Sequence, residues 1–570
     1  MSNSEAHTAA SGGTHAPVKH PRGLYVLFFT EMWERFGFYL MIGILLLFLR
    51  DTIKNGGKGM NNALSADIVA TYVALVYLTP FIGGLLADRF IGYRRAILIG
   101  GVLMAAGYFL LAVPGSNVLL FSALGLIIVG NGFFKPNIST LLGNVYNTDE
   151  LKPKKDAAYN IFYMGINIGA FVCNFVAAYL RLNYSWGYAF AAAGFGMLVG
   201  IIIFAFGMRT VAHADVIKPM KPDDMPISKI AVDVFVPAIA AGAVGWFLPK
   251  LLLHGGTLFG AHTNDAFVFA TIPIVIFYFR LWARAQNAEK RRIGTLLTLF
   301  GVSILFWNIY NQNATVLTIW ADNYSHREMP AGAEGFLKKF DLVQTVNTTP
   351  KEVPATDEFF RTRLGADGKV VTHTGTDLYF QNLPKDEWPK DGDNLKLIST
   401  ELYQSVNPFW IIVLTPIIVG FFGWLRSRNR EPSTPGKIAW GIVISGVSSV
   451  IMVAAALSTN IYHNKVSSVW IVSSYGVFTI SELFLSPIGL SLVSKVAPRR
   501  ITALMMGGWF LTTSLGGKLS GILAGFWDKF ESKALFFGIS AAAAIIAGLA
   551  LLPLARRLAV VVDEATASKE

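Results

Sequence analysis

Charge, cysteine and histidine are all sparse in this chain of 570 residues. Only 15% of the residues are charged and 53% are hydrophobic, whereas a soluble domain carries about 25% charged residues. That composition, with a mean hydropathy of +0.49, excludes an ordinary soluble domain. The single Cys173 excludes an intrachain disulfide and lies in an apolar run, where packing is its expected role. All nine histidines fall in the N-terminal tail, at the ends of apolar runs or in loops. A histidine proton relay inside a membrane is therefore excluded, and carboxylates must carry any proton. The chain contains no P-loop, which removes ATP as the expected energy source. It also shows neither metal-ligand spacing nor a nucleophile elbow, so no enzyme class and no cofactor are expected. Nothing before Gly23 resembles a cleavable signal peptide, and residues 1–22 read as a disordered cytoplasmic tail.

What is abundant is apolar sequence in runs of about twenty residues, the length that crosses a ~30 Å hydrocarbon core. The runs predict helices over 24–50, 66–88, 95–113, 117–144, 156–182 and 187–208. Two more are predicted over 229–253 and 264–287, then six over 293–320, 402–426, 436–458, 468–496, 499–527 and 534–556. This is an all-α polytopic membrane protein of about fourteen spans in a six, two, six arrangement. The expected organisation is an N-terminal bundle over 23–208, two extra helices within 209–292, a C-terminal bundle over 293–556 and a tail over 557–570. A polar insertion over 321–397, containing "KKFDLVQTVNTTPKEVPATDEFF", interrupts the second bundle and reads equally as a small cap or a passive insertion.

The net charge of +12 is no sign of nucleic acid, because of where the cations lie. Arg89, Arg94 and Arg95, then Lys152, Lys154 and Lys155, then Arg426, Arg428 and Arg430 follow alternate spans. The short loops between the other spans, such as 113–118, carry few or none. The positive-inside rule then predicts that both termini are cytoplasmic and that the insertion is outside. A bacterial inner (plasma) membrane is the expected location, with the lipid bilayer as the chain's surroundings and no protein partner indicated.

The sharpest signal is "EMWERFGFYLM", which puts Glu31, Glu34 and Arg35 inside the first span. An ionised side chain near the bilayer centre costs at least ~2.5–3.5 kcal/mol, so it is normally paired and turned inward. Glu31 and Arg35 are four residues apart, on one helix face and within ion-pair range. Lys135, Glu482 and Lys518 stand in three other spans. Burial favours the protonated form of a carboxylate, so such a cluster can take up a proton, and opposite charges at two ends of a cavity suit a zwitterion. Structural pinning of helices is the competing explanation, weaker for the five charges in three spans that remain when Lys518 is left aside.

The stretch "EMWERF" resembles the ExxER motif of the proton-dependent oligopeptide transporters, within the major facilitator superfamily. Four further stretches agree in type and order: "VYLTPFIGGLLADRFIGYRRA" (76–96), "GNGFFKPNISTLLG" (130–143), "AAYNIFYMGINIGAF" (157–171) and "SELFLSPIGLSLVSKVAP" (481–498). "QSVNP" and "MGGWFLTTSLGG" agree as well. The resemblance implies a major facilitator fold of two six-helix bundles with two extra helices between them. It implies a symporter of di- and tripeptides whose coupling ion is the proton. Glu31, Glu34 and Arg35 would form the coupling cluster, with Lys135 as the salt-bridge partner released on protonation. Glu482 would take the peptide amino terminus, helped by Asn167 and Asn407. Tyr39, Tyr77 and Tyr163 would line the pocket, while Trp307, Ser486 and Trp509 shape it. Asp88 and Arg89 would belong to a gating loop. Lys518 receives no role.

Three positions depart from the family pattern. Phe38 stands for the first of two tyrosines, and Ile42 stands where many members have an arginine for the peptide carboxylate. Asn311, within the expected substrate-binding set, occupies a position often held by an acid. Two rivals accordingly remain: a transporter of the same fold for nitrate, a glycoside or a modified amino acid, and a non-transporting peptide receptor.

Overall fold

The computed structural model describes residues 19–567 except 218–225, 330, 331, 333, 367, 391 and 392. Side chains at 227, 334, 336, 337, 486–488, 490, 499 and 503 are left out as well. Fourteen long helices follow one another along the described chain. The first six are α1 (Arg22–Arg50), α2 (Asn62–Leu86), α3 (Tyr93–Ala112), α4 (Asn117–Val145), α5 (Lys155–Asn183) and α6 (Trp186–Gly207). A pair, α7 (Val236–Leu252) and α8 (His262–Arg284), comes next. The last six are α9 (Asn287–Asn311), α10 (Val406–Ser427), α11 (Thr434–Leu457), α12 (Ser468–Val496), α13 (Thr502–Gly525) and α14 (Lys533–Ala567). Thirteen spans among the described residues pass on length and apolarity for crossing a membrane. Taken as fourteen crossings, the long helices put both termini at one end of the molecule and the insertion at the other.

In the first half, α1 packs against α5 and α6, α3 against α4 and α6, and α2 against α4. In the second, α11 packs on α12 and α14, α9 on α13 and α14, and α10 on α12. The halves meet where α2 lies along α13 and α5 along α10. The α7–α8 pair packs chiefly on itself, leaving its apolar surface facing outward. In a lipid solvent helix association relies on close packing rather than on hydrophobic exclusion, which places small residues at the contacts. Gly83 of α2 shows this: a Cβ there would stand 2.0 Å from the carbonyl oxygen of Gly132 on α4.

Several predicted boundaries are corrected. The last helix continues to Ala567, so the second bundle does not stop at 556 and residues 557–567 are helix rather than tail. The ninth span begins at Asn287 rather than 293. It is also broken: α9 ends at Asn311, a single 3-10 turn covers Gln312–Ala314, and helix resumes over Val316–Asn323. The insertion consequently starts beyond 323. It is a folded element built on short ladders. Strand β2 (Val343–Val346) pairs antiparallel with β5 (Leu395–Ile398), and β3 (Lys351–Pro354) with β4 (Thr372–Gly375). β1 (Ser325–His326) pairs parallel with β6 (Val466–Ser467) from the α11–α12 loop, which ties the insertion to the second half. Residues 1–18, the greater part of the expected tail, lie outside the described residues.

Ion pairs and hydrogen bonds join the halves at the insertion end. Arg50 of α1 meets Asp322 at 3.0 Å, and Arg181 of α5 meets the buried Glu401 at 2.7 Å. Asn62 of α2 donates to Asp528 at 3.0 Å. This end of the molecule is closed.

Gly83→Val should cost about 1–3 kcal/mol by overpacking the α2–α4 contact, read as a lowered thermal midpoint in detergent. Gly125→Ala, whose Cβ meets nothing within 4 Å, should leave that midpoint unchanged or slightly raised.

Candidate functional site

The first span folds as an uninterrupted helix because its run from Leu24 to Leu49 is apolar except at the charged motif, and Asp51 leaves helical geometry just after it. The motif is fully inside the protein: Glu31, Glu34 and Arg35 are 3%, 0% and 2% exposed. Arg35 does not share itself equally. Its Nη2 donates to Glu34 Oε1 at 2.7 Å and its Nε donates to Glu34 Oε2, a bidentate hold of the kind that gives guanidinium–carboxylate pairs their strength. Glu31, one turn earlier, keeps only a 3.3 Å contact from Oε1 to the same Nε. Its Oε2 is buried and finds no hydrogen-bond partner among the described residues. Of the two carboxylates, Glu31 is the under-satisfied one. The guanidinium also lies 4.9 Å from the Phe38 ring centre, so the apolar substitute at that position still serves the cation through its π face.

The expected ion pair of Lys135 is not formed. Its Nζ rests 3.9 Å from the centre of the Tyr77 ring, and no carboxylate among the described residues lies within 4 Å of it. The reason is local: Arg35 already occupies both oxygens of Glu34. Tyr77 in turn neighbours Trp307 at 6.4 Å between rings, and Trp307 neighbours Tyr310 at 5.4 Å. The indole Nε1 of Trp307 is buried and has no hydrogen-bond partner among the described residues.

Tyr310 lines a small cavity of about 70 Å3 between the halves, together with Tyr39, Ile42, Tyr163, Asn167, Asn407 and Glu482. That volume is well below the roughly 300–1,000 Å3 of small-molecule sites, so the cavity is contracted in this structure. Glu482 of α12 is 7% exposed, and its Oε2 accepts from Asn407 Nδ2 at 3.0 Å. Asn407 also donates to Thr479 Oγ1 at 3.0 Å, which fixes the amide and thereby the carboxylate. Asn167 donates to the Tyr163 carbonyl one turn back at 2.9 Å. The structure therefore brings together Tyr39, Tyr163, Asn167, Asn407 and Glu482 as anticipated, with Tyr77, Lys135 and Trp307 one aromatic layer away.

Other expected residues stand apart. Asn311 turns back on its own helix, donating to the Trp307 carbonyl at 2.7 Å. Trp509 belongs to the core of the second half, packed on Phe300 at 6.0 Å between rings and against Gly489. The side chain of Ser486 lies outside the described residues. Asp88 and Arg89 sit in the π-helical turn Ala87–Ile91 that extends α2 at the terminal end, where Asp88 accepts from the Tyr93 hydroxyl at 2.5 Å.

Sequence reasoning missed Asn174, Tyr310, Asn313 and Gln404, all of which line the cavity. The signal was the polar run "YNQNAT" at the break in the ninth span. Breaking the helix frees the Asn313 carbonyl, which accepts from Gln404 Nε2 at 2.8 Å and from Thr318 Oγ1 at 2.8 Å. Tyr475 donates to the Asn313 side chain. Irregular backbone at membrane depth is tolerated where it lines such a cavity.

The POT family model matches residues 94–349 and 394–543. The chain belongs to the POT family. It is 31% identical over 94% of its length to the uncharacterized transporter YclF of Bacillus subtilis, covering 93% of that protein. It is 29% identical to a di-/tripeptide transporter of Lactococcus lactis subsp. lactis, over 93% of this chain and 94% of the relative. The fold matches a crystal structure of the peptide transporter POT in complex with sulfate at a TM-score of 0.72 and 28% identity, covering 96% of this chain and 97% of the other. The POT chain is thus a polytopic transporter, and its two bundles are those of the family.

Proposed function

We propose that this POT-family chain is a proton-coupled symporter that imports di- and tripeptides by alternating access. The observation that carries the reading is a pair of buried carboxylates in opposite halves. Glu31 has an oxygen without a partner among the described residues, and Glu482 borders the cavity between the halves. A peptide backbone is a zwitterion of short, fixed reach. Glu482, steadied by Asn407, would receive its amino terminus. Lys135, resting on a ring rather than in an ion pair, would meet its carboxylate. The naming of the Lactococcus lactis relative as a di-/tripeptide transporter supports this substrate class.

The proton route follows from the same contacts. A proton arriving at Glu31 fills the unsatisfied oxygen and lifts one negative charge from Arg35. Arg35 and Glu34 then remain as a neutral pair, and the attraction that would otherwise draw Lys135 toward the cluster weakens. The four groups act as a unit, so no single one of them owns the titration. The Lys/Arg-rich loops put the terminal end in the cytoplasm by the positive-inside rule, so the closed insertion end faces outward. Asp88 and Arg89 would then belong to the cytoplasmic gate. Ile42 in the cavity wall favours one second reading, a small substrate whose acidic group needs no arginine.

In proteoliposomes, Glu31→Gln should abolish gradient-driven accumulation of dipeptide while leaving gradient-free exchange; normal accumulation would remove Glu31 from the coupling cluster. Glu482→Gln should lose about 1.5–3 kcal/mol of binding to peptides with a free amino terminus, roughly ten- to hundredfold in Kd. An equal loss for N-acetylated peptides would contradict the assigned role.

A further inference from the structure

A second, larger cavity lies at the insertion end, and nothing in the transport cycle above uses it. It holds about 520 Å3, within the roughly 300–1,000 Å3 of small-molecule sites. The insertion lines one side of it, through β2, β3 and Tyr379, and the ends of α1 and α5 line the other. Arg50, Arg181, Asp322 and Thr400, from the closed end, border it as well. Its position follows from the helices it shares with the central cavity. Ile42 of α1 and Asn174 of α5 line the central cavity, whereas Arg50 and Arg181 on the same helices line this one. At ~1.5 Å per residue the two spaces are stacked about 10–12 Å apart along both helices. The outer one is therefore a vestibule to the inner.

Arg327, just after β1, borders the vestibule and is 2% exposed. Only one corner of its guanidinium is hydrogen-bonded. Nη1 donates to Gln344 Oε1 at 2.7 Å and to the Ile398 carbonyl at 3.0 Å. Nη2 has a 3.7 Å contact with Asp322 Oδ1, and Nε has no hydrogen-bond partner among the described residues. Asp322 is already engaged by Arg50 at 3.0 Å and by the Thr400 hydroxyl at 2.9 Å. The Nε–Nη2 edge of an arginine can grip a carboxylate with two parallel bonds, and here that edge makes no hydrogen bond among the described residues. Leaving the donors of a buried cation unmade is costly. The other cations on these walls each hold a carboxylate: Arg50 has Asp322, Arg181 has Glu401 at 2.7 Å and Lys351 has Asp377 at 2.6 Å. Thr362, between β3 and β4, borders the same space, and its buried Oγ1 also has no partner among the described residues. Lys465 and Arg327 lie 4.1 and 5.4 Å from the centre of one ring, that of Tyr379. With Arg50 they put three positive charges around Asp322.

We propose that the vestibule is a second substrate site, where the carboxylate of an incoming peptide is held by the Nε–Nη2 edge of Arg327 and by Thr362 Oγ1. The ligand class is a small molecule with a terminal carboxylate. Trp186, Phe360 and Pro354 on the same walls offer apolar surface to its side chains. Ile42 leaves the central cavity without an arginine at that position, and Arg327 supplies one further out. The insertion is then a receptor for substrate that arrives from outside. The identity of the occupant rests on the transport reading above; the site itself rests on Arg327, Thr362 and the space between them.

The test is protection of a thiol in the full chain. The buried Cys173 is replaced by alanine, and Thr345→Cys, exposed on the vestibule wall, reacts with a cationic methanethiosulfonate. Dialanine should slow that reaction severalfold, and dialanine amide, which lacks the carboxylate, should not. Protection should persist in Glu482→Gln, where the central site is weakened. Arg327→Gln should raise the dialanine concentration that half-protects by about tenfold or more, and Thr362→Val by about threefold. Should Arg327→Gln fail to fold, Thr362→Val decides by the same criterion. Equal protection by the amide would overturn the carboxylate role of Arg327, and loss of protection in Glu482→Gln would overturn the second site. Protection by sulfate but not by dialanine would overturn the peptide as occupant. Proton-driven uptake of dialanine is measured on the same Thr345→Cys chain. Uptake without protection removes the vestibule site and leaves the transport reading; protection without uptake does the reverse.

Discussion

Every charge held away from water in this protein must be matched, and there are not enough partners at the centre to match them all. Arg35 is a single guanidinium beside two carboxylates. It gives Glu34 two hydrogen bonds and Glu31 one longer contact. The deficit falls on Glu31, whose second oxygen has no hydrogen-bond partner among the described residues. A proton is the smallest species that can fill it. Lys135, excluded from that arrangement, stands on an aromatic face, a weaker hold than an ion pair and easier to leave. Imbalance at this one helix turn makes the cluster responsive rather than merely structural.

The rest of the architecture gives that responsiveness somewhere to act. The halves touch along two seams, α2 with α13 and α5 with α10, and charged contacts close them at the insertion end. The insertion is anchored to the second half through β1–β6 and Asn382, whose Nδ2 donates to the Ile461 carbonyl at 2.7 Å. It reaches the first half through Asn183, whose Nδ2 donates to the Asp341 carbonyl at 3.3 Å, and Lys54, 3.9 Å from Glu352. It is therefore part of the closure rather than a passive loop. The broken ninth span supplies the cavity with carbonyl and amide groups that a continuous helix would have consumed internally.

Much of this was legible before any coordinates. Charges in apolar runs are conspicuous, and Glu31, Glu34, Arg35, Lys135 and Glu482 all announced themselves in that way. Helix count followed from run length alone. What sequence could not supply was pairing. The spacing of Glu31 and Arg35 is that of a helix-face pair, yet Glu34, adjacent in sequence, takes the stronger contact because a long guanidinium side chain can fold back. Asp67 and Lys518 are separated by 451 positions, and no local spacing pairs them. The end of α14 was misjudged because Arg556 and Arg557 mark a membrane boundary, while the helix runs on beyond it to Ala567. The insertion's strands are four residues or shorter, too brief for alternation to be recognised.

The central claim is that buried charges join proton entry to peptide entry. Its most direct test is uptake of labelled dialanine by the purified wild-type chain in proteoliposomes, with a pH-sensitive dye inside the vesicles. Under an imposed inward proton gradient the account predicts concentrative uptake accompanied by internal acidification beyond the vesicle's own leak. Without the gradient it predicts no accumulation above the external concentration. Uptake that proceeds to the same level in both conditions, with no acidification, would contradict it.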